Sequence, residues 1–299
     1  MILTIIILAL TFILTMLVAG NNLAAAAGTL IGSRILSRQW GAILGAVGFC
    51  SGLIVQGESL RGTAVSLLPN NDLIVSYALG VSMILFIVAA LIRIPLSLIM
   101  ALVGSSIGVS LRYHLHIDIG LIELIVVMWA VAPLISILSS YLINRKFTSL
   151  KPKNVWNFAI TLKIILIIIS FFTAFTIGAN TLGFIAEVGR IHGYELIAMV
   201  IAIFTGSFFL SGGVVKRVGS DMYTMRYSNA FVSLLVSTAL VEIATIFGLP
   251  LSSTQTMTSS VFGSGLSYRM KFLEARAFYI TVVMWILSPA LGIFLGYLI

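Results

Sequence analysis

Four short polar segments interrupt an otherwise apolar chain: Gly20-Asn21-Asn22 and Pro95-Leu96-Ser97 in the first half, Gly178-Ala179-Asn180 and Pro250-Leu251-Ser252 in the second. Their carboxamides and hydroxyls form hydrogen bonds without carrying charge. Backbone freed inside a bilayer must be satisfied by protein, water or a bound ligand, so paired interruptions in two halves point to a substrate site. After the first break, Leu23-Ala24-Ala25-Ala26-Ala27-Gly28-Thr29 permits close packing and can start a helix capped by an Asn. A helix starting in mid-membrane presents free amides that attract anions, but the dipole contributes only ~0.3–2 kcal/mol. Charge-assisted hydrogen bonds of roughly 1.5–3 kcal/mol each must supply the rest, and Ser252, Ser253, Thr254 and Thr256 offer the donors. The expected chemistry is non-covalent binding of an oxyanion. The candidate binding residues are Asn21, Asn22, Ser97, Asn180, Thr181, Ser252, Ser253 and Thr254. Taken alone, a serine such as Ser97 or Ser136 reads more simply as helix packing; the repetition of the ensemble is what favours a site.

The elements that hold these segments are membrane spans. With 299 residues, 60% hydrophobic and 9% charged, and a mean hydropathy of +1.16, the chain has too little polar surface to cover a soluble core. Apolar runs at 2–18, 40–56, 73–92, 119–143, 155–177, 194–212, 230–247 and 278–298 lie mostly near the ~20 residues that cross hydrocarbon. The segments 94–111 and 249–267 are less apolar, and each carries a Pro near its start, so they read as broken helices or re-entrant hairpins. The expected fold is an all-α polytopic membrane protein of about ten transmembrane segments in two inverted repeats. The N-terminus lacks a basic stretch and Val18-Ala19-Gly20 leads into a polar break, which argues for a first span over a secretory leader. Cys50, the sole cysteine, reads as a small buried hydrophobe, with no thiolate metal site available.

If each weak segment crosses once, the loop charges separate. One side receives Arg34, Arg38, Arg93, Arg145, Lys146, Lys151, Lys153, Lys216, Arg217, Arg226, Arg269, Lys271 and Arg276, and the other Arg61, Arg112 and Arg190. The positive-inside rule makes the first side cytoplasmic and places both termini outside the cell membrane. An odd number of crossings per half inverts the second, so 1–149 and 150–299 are the expected repeats, joined by the basic linker around Lys151 and Lys153. The formal charge of +8 is thus a topology signal and gives no reason to expect nucleic acid as a partner.

Glu242 lies inside the span 230–247, where a carboxylate costs on the order of 2.5–3.5 kcal/mol unless paired or protonated. It is the candidate coupling group, as a proton carrier, with a structural partnership to a nearby Ser or Lys as the equal alternative. Lys163 reads as snorkelling and Arg93 as a topology anchor that could steer anions. His114, His116 and Asp118 read as solvated loop residues, with Asp221, Met222 and Tyr223 as an ordinary loop. No His-Glu-x-x-His, Gly-x-Ser-x-Gly or paired carboxylates support an intramembrane enzyme. The clustering of polar positions at the breaks favours alternating access over a channel.

At these residues the chain resembles the inorganic phosphate transporter (PiT) family, whose halves each carry a Gly-Ala-Asn-Asp-type break and a later Pro-Val-Ser-Thr-Thr-type segment. Ala19-Gly20-Asn21-Asn22 through Gly32-Ser33-Arg34 and Gly178-Ala179-Asn180-Thr181-Leu182 are similar to the breaks, and Gly248-Leu249-Pro250-Leu251-Ser252-Ser253-Thr254 to the later segment. The resemblance implies a secondary transporter with an inverted repeat that moves phosphate with sodium or protons and binds it between the two Ser/Thr segments. Asn22 and Thr181 stand where the motif has Asp; the family's glutamates fall on Phe49 and Leu234; Ser97-Leu98-Ile99 replaces the first Ser-Thr-Thr, and Gln255 replaces a His. An altered branch is therefore expected, with phosphate first and sulfate second as substrate, Na+ or H+ as coupling ion, no other cofactor or metal, and a homodimer left open.

Overall fold

Inside hydrocarbon a backbone segment must satisfy its own polar groups, and the apolar runs do so as helices. The computed structural model describes residues 2–69, 71–92, 94–149, 153–211, 227–267 and 275–299. In chain order the helices are α1 (Ile2–Gly32), α2 (Arg38–Gln56), α3 (Arg61–Leu67), α4 (Asp72–Leu91), α5 (Leu98–Arg112) and α6 (Ile119–Thr148). There follow α7 (Val155–Ile177), α8 (Gly183–Gly189), α9 (Leu196–Thr205), α10 (Tyr227–Ile246), α11 (Ser253–Leu266) and α12 (Ala275–Leu298). Among the described residues, eight helical stretches are long and apolar enough to cross a membrane, and each coincides with one of the apolar runs of the sequence. Side-chain N-caps start several of them: Asn71 for α4, Asp118 for α6 and Asn154 for α7 each accept from a backbone amide in the first turn. Asp118 is thereby a cap, and His114 beside it takes a left-handed φ of 51° at the preceding turn.

The two Asn motifs do not break their helices, which corrects the expectation from sequence. Gly20-Asn21-Asn22 lies within the continuous α1, and Gly178–Leu182 is a π-helical turn that carries α7 into α8 without a gap. The reason is energetic: Ala24 to Ala27 are strong helix formers, and interrupting the ladder would strand amides that nothing here needs to strand. Glycine at these places serves packing instead. A Cβ on Gly20 would lie 2.6 Å from Leu210 Cβ, and one on Gly178 would strike the Phe49 main chain. Phe49 and Leu234 are fully buried, apolar positions.

The interruptions occur at the two Pro-Leu-Ser segments. Residues 94–97 and 249–252 are non-helical, and Ser97 and Ser252 then cap α5 and α11. With 15 and 14 residues, these helices are about 22 and 21 Å long at 1.5 Å per residue, short of a ~30 Å hydrocarbon core. Each runs back along its predecessor. Ile94 N–H donates to Ala89 O at the end of α4, whereas Ser110 Oγ donates to Leu67 O and Tyr113 stacks on Tyr77 near its beginning. Likewise Leu249 N–H donates to Ala244 O, and Ser264 Oγ pairs with Ser233 Oγ at 3.0 Å.

α6 relates the two short helices. Its middle meets the start of α11, where Trp129 Nε1 donates to Pro250 O at 3.0 Å, and its end meets the end of α11, where Asn144 Nδ2 donates to Ser264 O at 3.0 Å. α5 ends just before α6 begins. The two short helices therefore start side by side in the middle of the bundle and point toward opposite ends of α6.

Candidate functional site

The start of each short helix leaves first-turn amides without an intrahelical acceptor. The Ser97 hydroxyl accepts from Met100 N–H at 3.4 Å and the Ser252 hydroxyl from Gln255 N–H at 3.3 Å. Leu98, Ile99, Ser253 and Thr254 occupy the first two helical positions of α5 and α11, and all four line one central cavity. It is completed by Val18, Asn21 and Asn22 of α1, Phe86 of α4, Leu96 and Ser97, Thr181 of the π-helical turn, and Ser252. Its volume of about 20 Å³ accommodates a single water molecule, so a tetrahedral oxyanion enters only as the walls part.

Of the sequence candidates, Asn21, Asn22, Ser97, Thr181, Ser252, Ser253 and Thr254 are brought together on this cavity. Ser97 Oγ donates to Ser252 Oγ at 2.9 Å, and Ser252 Oγ contacts Thr254 Oγ1 at 2.9 Å. With Ser97 and Gln255 N–H occupying both Ser252 lone pairs, the Ser252 proton goes to Thr254. The Thr254 hydroxyl then remains to donate into the cavity. The Thr181 hydroxyl is buried and has no hydrogen-bond partner among the described residues. Asn21 Nδ2 reaches Asn22 Oδ1 at 3.4 Å, a loose contact that leaves both amides adaptable.

Asn180 stands behind the cavity. Its Nδ2 donates to Thr245 Oγ1 at 2.9 Å and to Leu249 O at 3.0 Å, and its Oδ1 accepts from Leu251 N–H at 3.1 Å. Both polar ends of the amide thus clamp the non-helical segment before Ser252. Gly248, with φ +69°, makes the turn into that segment, and its carbonyl accepts from Thr63 Oγ1 at 2.6 Å.

Glu242 lies off the cavity, half-buried on α10, where its Oε2 accepts from Thr176 Oγ1 at 3.1 Å. Thr176 also lines a second, smaller space of about 10 Å³ with Thr173, Ser237, Thr238 and Ser253. Ser253 lines both spaces. Arg93, Asp221, Met222 and Tyr223 lie outside the described residues.

Sequence reasoning missed the support supplied by α6. Pro133 lacks the N–H that would close the helical bond to the Trp129 carbonyl four residues earlier, and Gln255 Nε2 donates to that carbonyl at 2.8 Å instead. Together with the Trp129 ring N–H on Pro250 O, this fastens both sides of the Ser252 turn to α6. A proline four residues after a tryptophan in a long apolar run was the available signal.

Among the described residues lining the cavity there is no ionisable side chain. Its field comes from two helix N-termini, hydroxyls and carboxamides, all partially positive toward the centre when the hydroxyls donate. Such a lining is chemically suited to an anion rich in acceptor oxygens.

A model described as the phosphate transporter family matches residues 18–181 and again 146–296. The Methanocaldococcus jannaschii protein MJ0630, a phosphate permease by name, is 23% identical over 98% of this chain and 95% of its own length. The sulfate permease CysP of Bacillus subtilis is 27% identical over 94% of this chain and 83% of its own. A solved structure of the sodium-dependent phosphate transporter superposes with a TM-score of 0.85 at 18% identity, covering 100% of this chain and 98% of that one.

Proposed function

This chain belongs to the phosphate transporter family, and from that premise we propose that it is a secondary transporter that carries inorganic phosphate through the membrane by alternating access. The observation that carries the reading is the convergence of the α5 and α11 N-termini, with Ser97, Ser252, Ser253 and Thr254, on one cavity beside Asn21, Asn22 and Thr181. The oxyanion is held by these neutral donors and leaves unchanged, with no covalent step.

The halves 1–149 and 150–299 act as inverted repeats; the opposed directions of α5 and α11 support this. Both termini face outward, as the distribution of basic residues supports. Transport is coupled to a cation. Glu242 is the coupling carboxylate, and the Thr176 hydroxyl and the space shared with Ser253 link it to the site.

A second reading, sulfate, is favoured by one feature. Phosphate near neutral pH keeps a proton that asks for an acceptor, whereas sulfate asks only for donors, and no carboxylate is among the described residues lining the cavity. The named function of CysP, a sulfate permease, is consistent with that reading. Uptake of labelled phosphate and labelled sulfate into proteoliposomes, with sodium and proton gradients imposed separately, tests both. Accumulation of phosphate above equilibrium supports the first reading and of sulfate alone the second; accumulation of neither refutes the transport assignment.

A further inference from the structure

We infer that the seam between α6 and α11 is the gate through which the bound oxyanion leaves the cavity toward the end of the protein that carries Arg145 and Lys146. The inference rests on the transport reading above and concerns the route.

Each short helix packs against the last helix of the other half, α5 on α12 and α11 on α6, and the two seams are built differently. Along α5–α12 the main chains touch. A Cβ on Gly292 would lie 2.6 Å from Ala101 O and one on Gly296 2.6 Å from Ser105 O, while Gly104 and Gly108 would strike the carbonyls of Pro289 and Ile293. The serine hydroxyls there are satisfied: Ser105 by Ser82 and Ala78 O, Ser106 by Leu102 O, Ser288 by Met284 O.

Along α6–α11 the main chains also meet, Gly263 against Ile137 O, but the side-chain hydroxyls differ. Ser136 Oγ, Ser140 Oγ and Asn144 Oδ1, on successive turns of α6, and Gln255 Oε1 and Ser259 Oγ of α11 have no hydrogen-bond partner among the described residues. Gln255 is 2% exposed and the other four are 0% exposed. Two of these side chains locate the row. Gln255 reaches across to Trp129 O near the cavity, and Asn144 reaches across to Ser264 O and Ser267 Oγ beside the basic end of α6. The row therefore starts one turn from Ser252 and ends next to Arg145.

Burying a polar group without a partner is costly, and that cost is recovered when water enters. Parting α6 from α11 solvates the unpaired row, whereas the hydroxyls along α5–α12 already have partners and gain none. Pro133 provides the bend, since α6 lacks a helical bond at Trp129 O and is held there by the Gln255 side chain. Neutral hydroxyls let an anion pass without trapping it.

The test places a single cysteine on each seam, Ser259→Cys or Ala101→Cys, with the only native cysteine removed by Cys50→Ala. A membrane-impermeant methanethiosulfonate is applied to either face of oriented vesicles. Ser259→Cys is expected to label several-fold faster than Ala101→Cys, and from the Arg145 face. Equal labelling, or faster labelling of Ala101→Cys, overturns the gate. Because either variant could fail to fold, hydrogen exchange of the unaltered protein gives a second reading: amides of 255–263 should exchange several-fold faster than those of 101–108, and equal protection overturns the inference. Uptake of labelled phosphate and sulfate is followed in the same vesicles. Labelling without uptake of either ion sinks the proposed substrates and leaves the gate standing; uptake with Ser259→Cys unlabelled sinks the gate alone.

Discussion

Ser97 Oγ donates to Ser252 Oγ across 2.9 Å, so residues 155 apart in the chain are joined at the point where two half-length helices begin. Each serine caps its own helix, and the pair ties the two N-termini into one wall of the cavity. A solute that replaces this bond with its own oxygens would separate the two helices by the act of binding.

Ser252→Ala removes the acceptor for Ser97 and for Gln255 N–H and the donor to Thr254. Loss of one or two bonds to a charged ligand, at roughly 1.5–3 kcal/mol each, weakens binding by about tenfold to more than a hundredfold. The concentration dependence of uptake should show this, with Ser97→Ala less affected because it holds the outer end of the relay.

Asn180→Ala should act on stability before it acts on binding. It strands Leu251 N–H and Leu249 O in a buried setting, at about 1–3 kcal/mol for each group. Thermal unfolding of the purified protein in detergent should therefore begin at a clearly lower temperature. A Tm equal to that of the parent would mean that the turn before Ser252 needs no clamp.

Two glycines should respond with opposite signs. A methyl at Gly52 would overlap the Phe175 carbonyl, while one at Gly80, within α4, meets nothing within 4 Å. Gly52→Ala should lower the yield of folded protein, and Gly80→Ala should stabilise it by roughly 0.5–1 kcal/mol through helix propensity. Parallel melting curves check the contrast.

Glu242→Gln keeps the bond from Thr176 but removes the charge that a coupling ion would answer. Uptake driven by an imposed proton or sodium gradient should then collapse, while exchange of labelled against unlabelled oxyanion across the membrane continues. Unchanged gradient dependence would assign Glu242 a purely structural part.

Much of this protein was legible in order of residues alone. The eight long spans follow from hydropathy, which is a sum over neighbours in sequence and needs no tertiary information. The two Pro-Leu-Ser segments were recognisable as interruptions because the proline there opens a less apolar, Ser- and Gly-rich stretch, whereas Pro133, in a strongly apolar run, stays inside α6. What misled was Gly20-Asn21-Asn22 and Gly178-Ala179-Asn180: glycine and asparagine weaken a helix without forbidding it, and here close neighbours such as Leu210 and Phe49 require the glycines for packing.

The sequence by itself determined that the chain spans a membrane, that its helices stop at Pro95 and Pro250, and that hydroxyls follow those stops. Only the tertiary structure decided that Ser97 meets Ser252, that Asn180 clamps the turn while Asn21 and Asn22 face the cavity, and that Glu242 bonds Thr176 beside a neighbouring space. The physical reason is reach. Propensity and hydropathy act over a few residues along the chain, whereas a cavity is made by side chains whose separation is set by how whole helices pack.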